Sequence, residues 1–95
     1  MSNDAYTYTV YIIKLHPTED VQGTPYDYYV GETFDVKKRI KEHREGRGGS
    51  RLVAKGYRIG TVETRGVFHS RENAREGEAK EARRLENKGF RVWFG

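Results

Sequence analysis

The chain has 95 residues, with 18 Lys and Arg, 14 Asp and Glu and no Cys. Hydrophobic residues make up 35% and charged residues 34%, which suits one small-cored domain over residues 1–95. The lack of cysteine excludes a disulfide framework or thiolate zinc site. No apolar run nears the roughly 18 residues that cross a bilayer, and the start Met-Ser-Asn-Asp-Ala does not read as a signal peptide, so a soluble, intracellular (cytoplasmic) protein is expected.

The run from Tyr8 to Leu15 is rich in β-branched and aromatic residues and reads as a strand. Tyr8, Val10 and Ile12 share one face; Thr9, Tyr11, Ile13 and Leu15 share the other. His16 to Pro25 holds two prolines, a glycine and two acids and reads as a loop. Tyr26 to Gly31 reads as a second strand. A hairpin through that loop sets Tyr11 near Tyr29 or Val30, and an even register projects Tyr11 and Tyr29 from one face.

Asp35 is placed to cap a helix running to about Glu45, with Gly46 as its stop. Val36 and Ile40 form a short apolar stripe, and Arg39 and His43 lie one turn apart on one flank. Arg47-Gly48-Gly49-Ser50 reads as a flexible basic loop, and Ser50 to Lys55 as one helical turn. Ile59 to Phe68 is expected as a third strand. Ser70 is a plausible N-cap, with Glu72 in the favourable first turn, for a helix ending near Lys88 and Gly89. In residues 90–95, Phe90, Val92 and Phe94 alternate with Arg91 and Trp93, which reads as a short strand or an extended tail. The expected architecture is α+β: a three-stranded, mainly antiparallel sheet, four-stranded if the tail joins it, packed with helices.

The formal net charge is +4, but the excess is local. Residues 37–58 hold nine basic residues against two acidic ones, a local charge of +7 that leaves −3 for the rest. A dense basic block beside glycines is the electrostatic footprint of a polyanion partner; a solvated basic surface has the same composition. No segment carries a broad greasy face, so a membrane surface is the weakest candidate partner.

Positions 74, 78, 82 and 85 follow helical spacing and form one inward stripe in the last helix. Three of them are Ala74, Ala82 and Leu85; the fourth is Glu78. A carboxylate facing the sheet needs a cation such as Arg39, a metal ion or a raised pKa.

Together these residues resemble the GIY-YIG nuclease domain. The first motif stands here as Thr9-Val10-Tyr11, with Thr in place of the usual Gly, and the second as Tyr29-Val30-Gly31. The stretch YVGETFDVKKRIKEH resembles the family's second strand, turn and first helix, and SRENAREGEAKEARRLENKGF its later helix. The separation of the two motifs is longer than usual, with the insertion in 16–25. Five positions in order (Tyr11, Tyr29, Arg39, His43 and Glu78) are more specific than either tyrosine motif alone.

The resemblance implies a metal-dependent endonuclease acting on duplex or branched DNA. It implies that Glu78 anchors one Mg²⁺ or Mn²⁺ and that Arg39 holds the scissile phosphate through its planar fork. Tyr11 is implied as general base for the attacking water, helped by the nearby Arg39 charge. Tyr29 positions the nucleophile or phosphate, and His43 shares proton transfer or binds phosphate. Lys37, Lys38, Arg44, Arg47, Arg51, Lys55 and Arg58 would then track the phosphate backbone without reading sequence. A basic face with a single active site suits a nicking monomer, a homodimer that cuts both strands, or a subunit guided by a specificity partner. Two other readings share these residues: a nucleic-acid-binding module of the same fold without catalysis, and a scaffold domain that meets an acidic protein.

Overall fold

The computed structural model describes residues 6–94. The first five residues and Gly95, the last residue of the expected tail, lie outside the described residues. The elements are β1 (Tyr8–Pro17), β2 (Tyr28–Thr33), α1 (Val36–Glu45), β3 (Tyr57–Phe68), α2 (Arg71–Asn87) and β4 (Val92–Phe94). The strands form one four-stranded sheet in the order β3-β1-β2-β4. β1 pairs antiparallel with both β2 and β3, while β4 pairs parallel with β2. The sheet is therefore mixed, and the terminal segment closes it as a fourth strand.

Several strand boundaries differ from expectation, and β2 runs on past Gly31 to Thr33. β1 continues through His16 and Pro17, which pair with Arg58 and Tyr57 on β3. Here β1 has β3 as a partner on its far side, and a proline at the strand end sacrifices little. β2 begins at Tyr28 rather than Tyr26, because the backbone N–H of Asp27 turns to the Arg91 carbonyl at 2.8 Å. β3 begins at Tyr57, two residues early.

The period-2 alternation of β1 divides the core. Val10 and Ile12, with Val30 and Val92, pack under Ala74, Ala82 and Leu85 of α2. Tyr11, Ile13 and Leu15, with Tyr29, Leu52 and Tyr57, fill the opposite face. Ile40 of α1, Val21 of the inserted loop and Tyr26 just after it cover that second cluster. Helix α2 and the α1-plus-loop layer thus sandwich the sheet, each burying one stripe.

Both helices have the expected caps. Asp35 Oδ1 accepts from the Lys38 backbone N–H at 3.1 Å, and Gly46 ends α1 in the left-handed region at φ 70°. Ser70 Oγ accepts from the Asn73 N–H at 3.0 Å at the start of α2. After α1, hydrogen bonds from Lys55 N to Arg51 O and from Tyr57 N to Leu52 O, each 3.0 Å, wind the expected turn and drive Leu52 into the core.

Candidate active site

The β1–β2 register sets Tyr11 opposite Gly31 and Ile13 opposite Tyr29. Tyr11 and Tyr29 therefore project from the same sheet face as diagonal neighbours, with ring centroids 6.2 Å apart. Gly31 is what lets them converge. A Cβ there would lie 2.6 Å from the Tyr11 hydroxyl and 2.9 Å from the Tyr29 ring, closer than any side chain tolerates.

His43 is the one fully buried residue of α1. Its ring sits 5.8 Å from that of Tyr11 and 5.1 Å from that of Tyr29. The Tyr11 hydroxyl lies 2.9 Å from His43 Nε2, and the Ser50 hydroxyl lies 2.6 Å from His43 Nδ1. Tyr11, His43 and Ser50 thus form a buried chain of three hydrogen-bonding side chains. Residue 43 thus closes an interior chain from the last turn of α1. Ser50 is also buried, so the segment 47–50 is anchored at its last residue and is not the uniformly flexible loop expected.

Burial sets the protonation states. Loss of solvent pushes the Tyr11 phenol well above its usual range, and the Tyr29 phenol also upward. The Arg39 charge works against this rise in both phenols, and the Glu78 charge adds to it. For Tyr11 burial outweighs Arg39. Arg39 thus offsets only part of the upward push that burial gives the Tyr11 phenol. His43 shifts the opposite way. Burial, reinforced by the Arg39 charge, lowers its pKa to about 4, so the imidazole is neutral.

Arg39 is half-buried on α1. Its Nη1 donates to Glu42 Oε1 at 2.9 Å and to the Gly48 carbonyl at 2.6 Å. These bonds fix the guanidinium at the mouth of a shallow groove of about 260 Å³ that also includes Glu32, Lys38 and Arg71. An open groove of this kind suits a phosphodiester backbone better than a small enclosed metabolite.

Glu78 is buried on the inward stripe of α2, as its spacing predicts. Among the described residues no group of three or more His, Asp and Glu side chains is close enough to form a metal cage. A hard cation that keeps most of its water and takes phosphate oxygens needs only one or two protein carboxylates, so this donor set fits Mg²⁺ or Mn²⁺ and does not fit a zinc site. A second carboxylate, missed from sequence, is Glu32 on β2. Its Oε2 faces Arg71 and Arg75 at 3.5 and 3.8 Å, while its buried Oε1 has no hydrogen-bond partner. The signal was its place directly after Gly31, which puts it on the α2 face of the sheet.

The basic block divides. Lys37, Lys38, Arg51, Lys55 and Arg58 are exposed. Arg44 is exposed too, but its guanidinium donates to the Ile59 and Gly60 carbonyls at 3.1 and 3.3 Å, tying α1 to β3. Arg47 is paired with Glu45. These two residues, expected purely as phosphate contacts, already serve the fold or an acidic neighbour. Among the described residues no helix is long and apolar enough to cross a membrane.

No curated protein and no solved structure matches the chain. The family model described as the GIY-YIG catalytic domain matches residues 7–90, from just before β1 to just past α2. With that match over nearly the whole chain, the protein belongs to the GIY-YIG catalytic-domain family, a nuclease-type family.

Proposed function

We propose that the chain, as a single domain, is a divalent-metal-dependent DNA endonuclease. The observation that supports this most is the gathering of Tyr11, Tyr29 and His43 on one sheet face, with Arg39 and Glu78 both acting on the phenols.

Phosphodiester hydrolysis needs a water stripped of a proton, a neutralised phosphate and a stabilised leaving oxygen. Arg39 is half-exposed and pre-oriented, so it presents a planar fork to the non-bridging oxygens. Tyr11 begins as a neutral phenol and therefore works as a relay. As water attacks phosphorus, its proton passes to the Tyr11 oxygen while the Tyr11 proton passes to His43 Nε2. The P–O3′ bond breaks, and the departing oxygen takes a proton from solvent.

Bound phosphate favours this transfer, because it cancels the Arg39 charge that helps hold His43 deprotonated. Ser50 steadies the ring by accepting from Nδ1–H. Tyr29 packs against both Tyr11 and His43 and orients the relay. Glu78 would hold the divalent ion, which when bound supplies Lewis-acid charge for the leaving oxygen. GIY-YIG nucleases are generally dependent on a divalent metal. The exposed cations Lys37, Lys38, Arg51, Lys55 and Arg58 would carry the DNA backbone across the site.

The burial of the Tyr11 hydroxyl favours a second reading, a DNA-binding module that does not cut. Incubation with plasmid, branched and single-stranded DNA in Mg²⁺ or Mn²⁺ separates the two. Cleavage of any substrate supports the nuclease. Binding without cleavage selects the module. Failure to bind at low salt selects a scaffold for an acidic protein.

A further inference from the structure

A cleft of about 640 Å³ lies on the Tyr11–Tyr29 face of the sheet, between the inserted loop, the turn after α1 and β4. Its apolar wall is aromatic. Trp93 stands 5.5 Å from Tyr26 and 6.2 Å from Tyr57, ring centre to ring centre. Trp93 also lies edge-on to Tyr29 at 6.0 Å, so the cleft adjoins the candidate active site through one ring contact. Arg51 and Lys55, both exposed, stand on its rim, and Asp20 and Gln22 of the inserted loop supply polar groups.

This cleft is built into the fold. The Thr18 backbone N–H and hydroxyl both donate to the Gly56 carbonyl, at 2.9 and 2.6 Å. The Tyr57 hydroxyl accepts from the Tyr26 N–H at 2.8 Å. Gly56 has φ +101°, and a Cβ there would lie 2.9 Å from the Val21 nitrogen. The inserted loop is thus clamped against the turn, and its docking makes the cleft wall. Tyr26 already stacks with the Arg91 guanidinium, 4.6 Å from its ring centre.

Aromatic faces flanked by cations bind a nucleobase and its phosphates together, since every base has a stacking face and every linkage a negative charge. A base within continuous duplex is stacked and paired and cannot enter. We infer that this cleft is a subsite for an unpaired nucleobase of the DNA substrate, stacked on Trp93 and Tyr26, with Arg51 and Lys55 on the adjoining phosphates. The inference rests on the nucleic-acid reading above and narrows it: the preferred substrate carries a single-stranded portion beside the cleavage point.

Trp93 is the only tryptophan and reports on the cleft directly. The full chain would be titrated in chelator, where no cleavage occurs, with a short oligothymidylate and with a blunt duplex of equal length. Emission from Trp93 is followed together with the anisotropy of labelled DNA. The expected result is saturable quenching by the single strand but not by the duplex. Ala54→Leu, which fills the cleft from an exposed position, should reduce the preference for single strand about tenfold.

Anisotropy showing a bound single strand with unchanged Trp93 emission overturns the subsite. So does an Ala54→Leu protein that keeps the full preference, or a protein that binds no DNA at low salt. A protein that quenches in chelator but never cuts in Mg²⁺ retains the subsite and loses the nuclease reading. One that cuts without any Trp93 response loses only the subsite.

Discussion

The Tyr11 hydroxyl and His43 Nε2 are 2.9 Å apart although 32 residues separate them in the chain. The contact is buried, and Ser50 completes it on the other ring nitrogen. Removing the imidazole leaves two hydroxyls without their partner in a dry interior. His43→Ala should therefore cost about 2–4 kcal/mol in urea unfolding at pH 7. Cleavage should fall about 100-fold or more through loss of the relay. A cleavage rate within a few-fold of wild type would remove His43 from the proton path.

Acid should weaken the fold through the same residue. The His43 pKa falls from 6.5 to about 4 on folding, so between those values the unfolded chain binds a proton that the native state refuses. Stability from this group is intact above pH 6.5, declines as pH drops toward 4 and is fully lost below that. The full shift corresponds to roughly 3 kcal/mol at most. Urea titrations at pH 7 and pH 4.5 should show a smaller acid loss in His43→Gln than in wild type. Equal losses would mean that other groups carry the acid sensitivity.

Gly31→Ala tests the convergence of the phenols. The new methyl would lie 2.6 Å from the Tyr11 hydroxyl and 2.7 Å from its ring carbon Cζ. Neither ring is free to move: both are buried, and Tyr11 is bonded to His43. The substitution should cost about 1–3 kcal/mol, a fall of several degrees in Tm, and should lower cleavage further than stability alone explains. An unchanged Tm would show that the rings repack freely.

Arg39 should not be replaceable by lysine. The guanidinium donates to Glu42 and Gly48 and still faces the groove, whereas an ammonium offers a point charge on a flexible stem. Arg39→Lys and Arg39→Ala should both reduce DNA cleavage about 100-fold or more, with far smaller effects on thermal unfolding. Near-wild-type activity in Arg39→Lys would reduce the role of Arg39 to simple charge.

Much of the site could be read from local periodicity. The shared face of Tyr11 and Tyr29 follows from strand alternation once the hairpin register is even, and the pairing of Tyr11 with Gly31 satisfies that condition. The inward direction of Glu78 follows from its spacing with Ala74, Ala82 and Leu85. The rest depended on how the chain returns on itself. Nothing local marks Ser50 as the His43 partner, because a left-handed glycine segment turns it inward. The inserted loop was visible as a loop, but its clamp onto Gly56 arises from a contact across 38 residues. The parallel pairing of β4 with β2 likewise needs the whole length of α2 to bring the strands together. The upward push on Tyr11 comes first from burial, which a sequence pattern cannot weigh.

The central claim, that Glu78 arms this fold to cut DNA with a divalent ion, is tested most directly by nicking of supercoiled plasmid in Mg²⁺ beside a DNA-binding titration. Wild type should nick, stop when the ion is chelated and resume when it is restored. Glu78→Ala should bind the plasmid as wild type does and leave it supercoiled. A Glu78→Ala protein that nicks at the wild-type rate, or a wild type that nicks equally in chelator, would contradict the account.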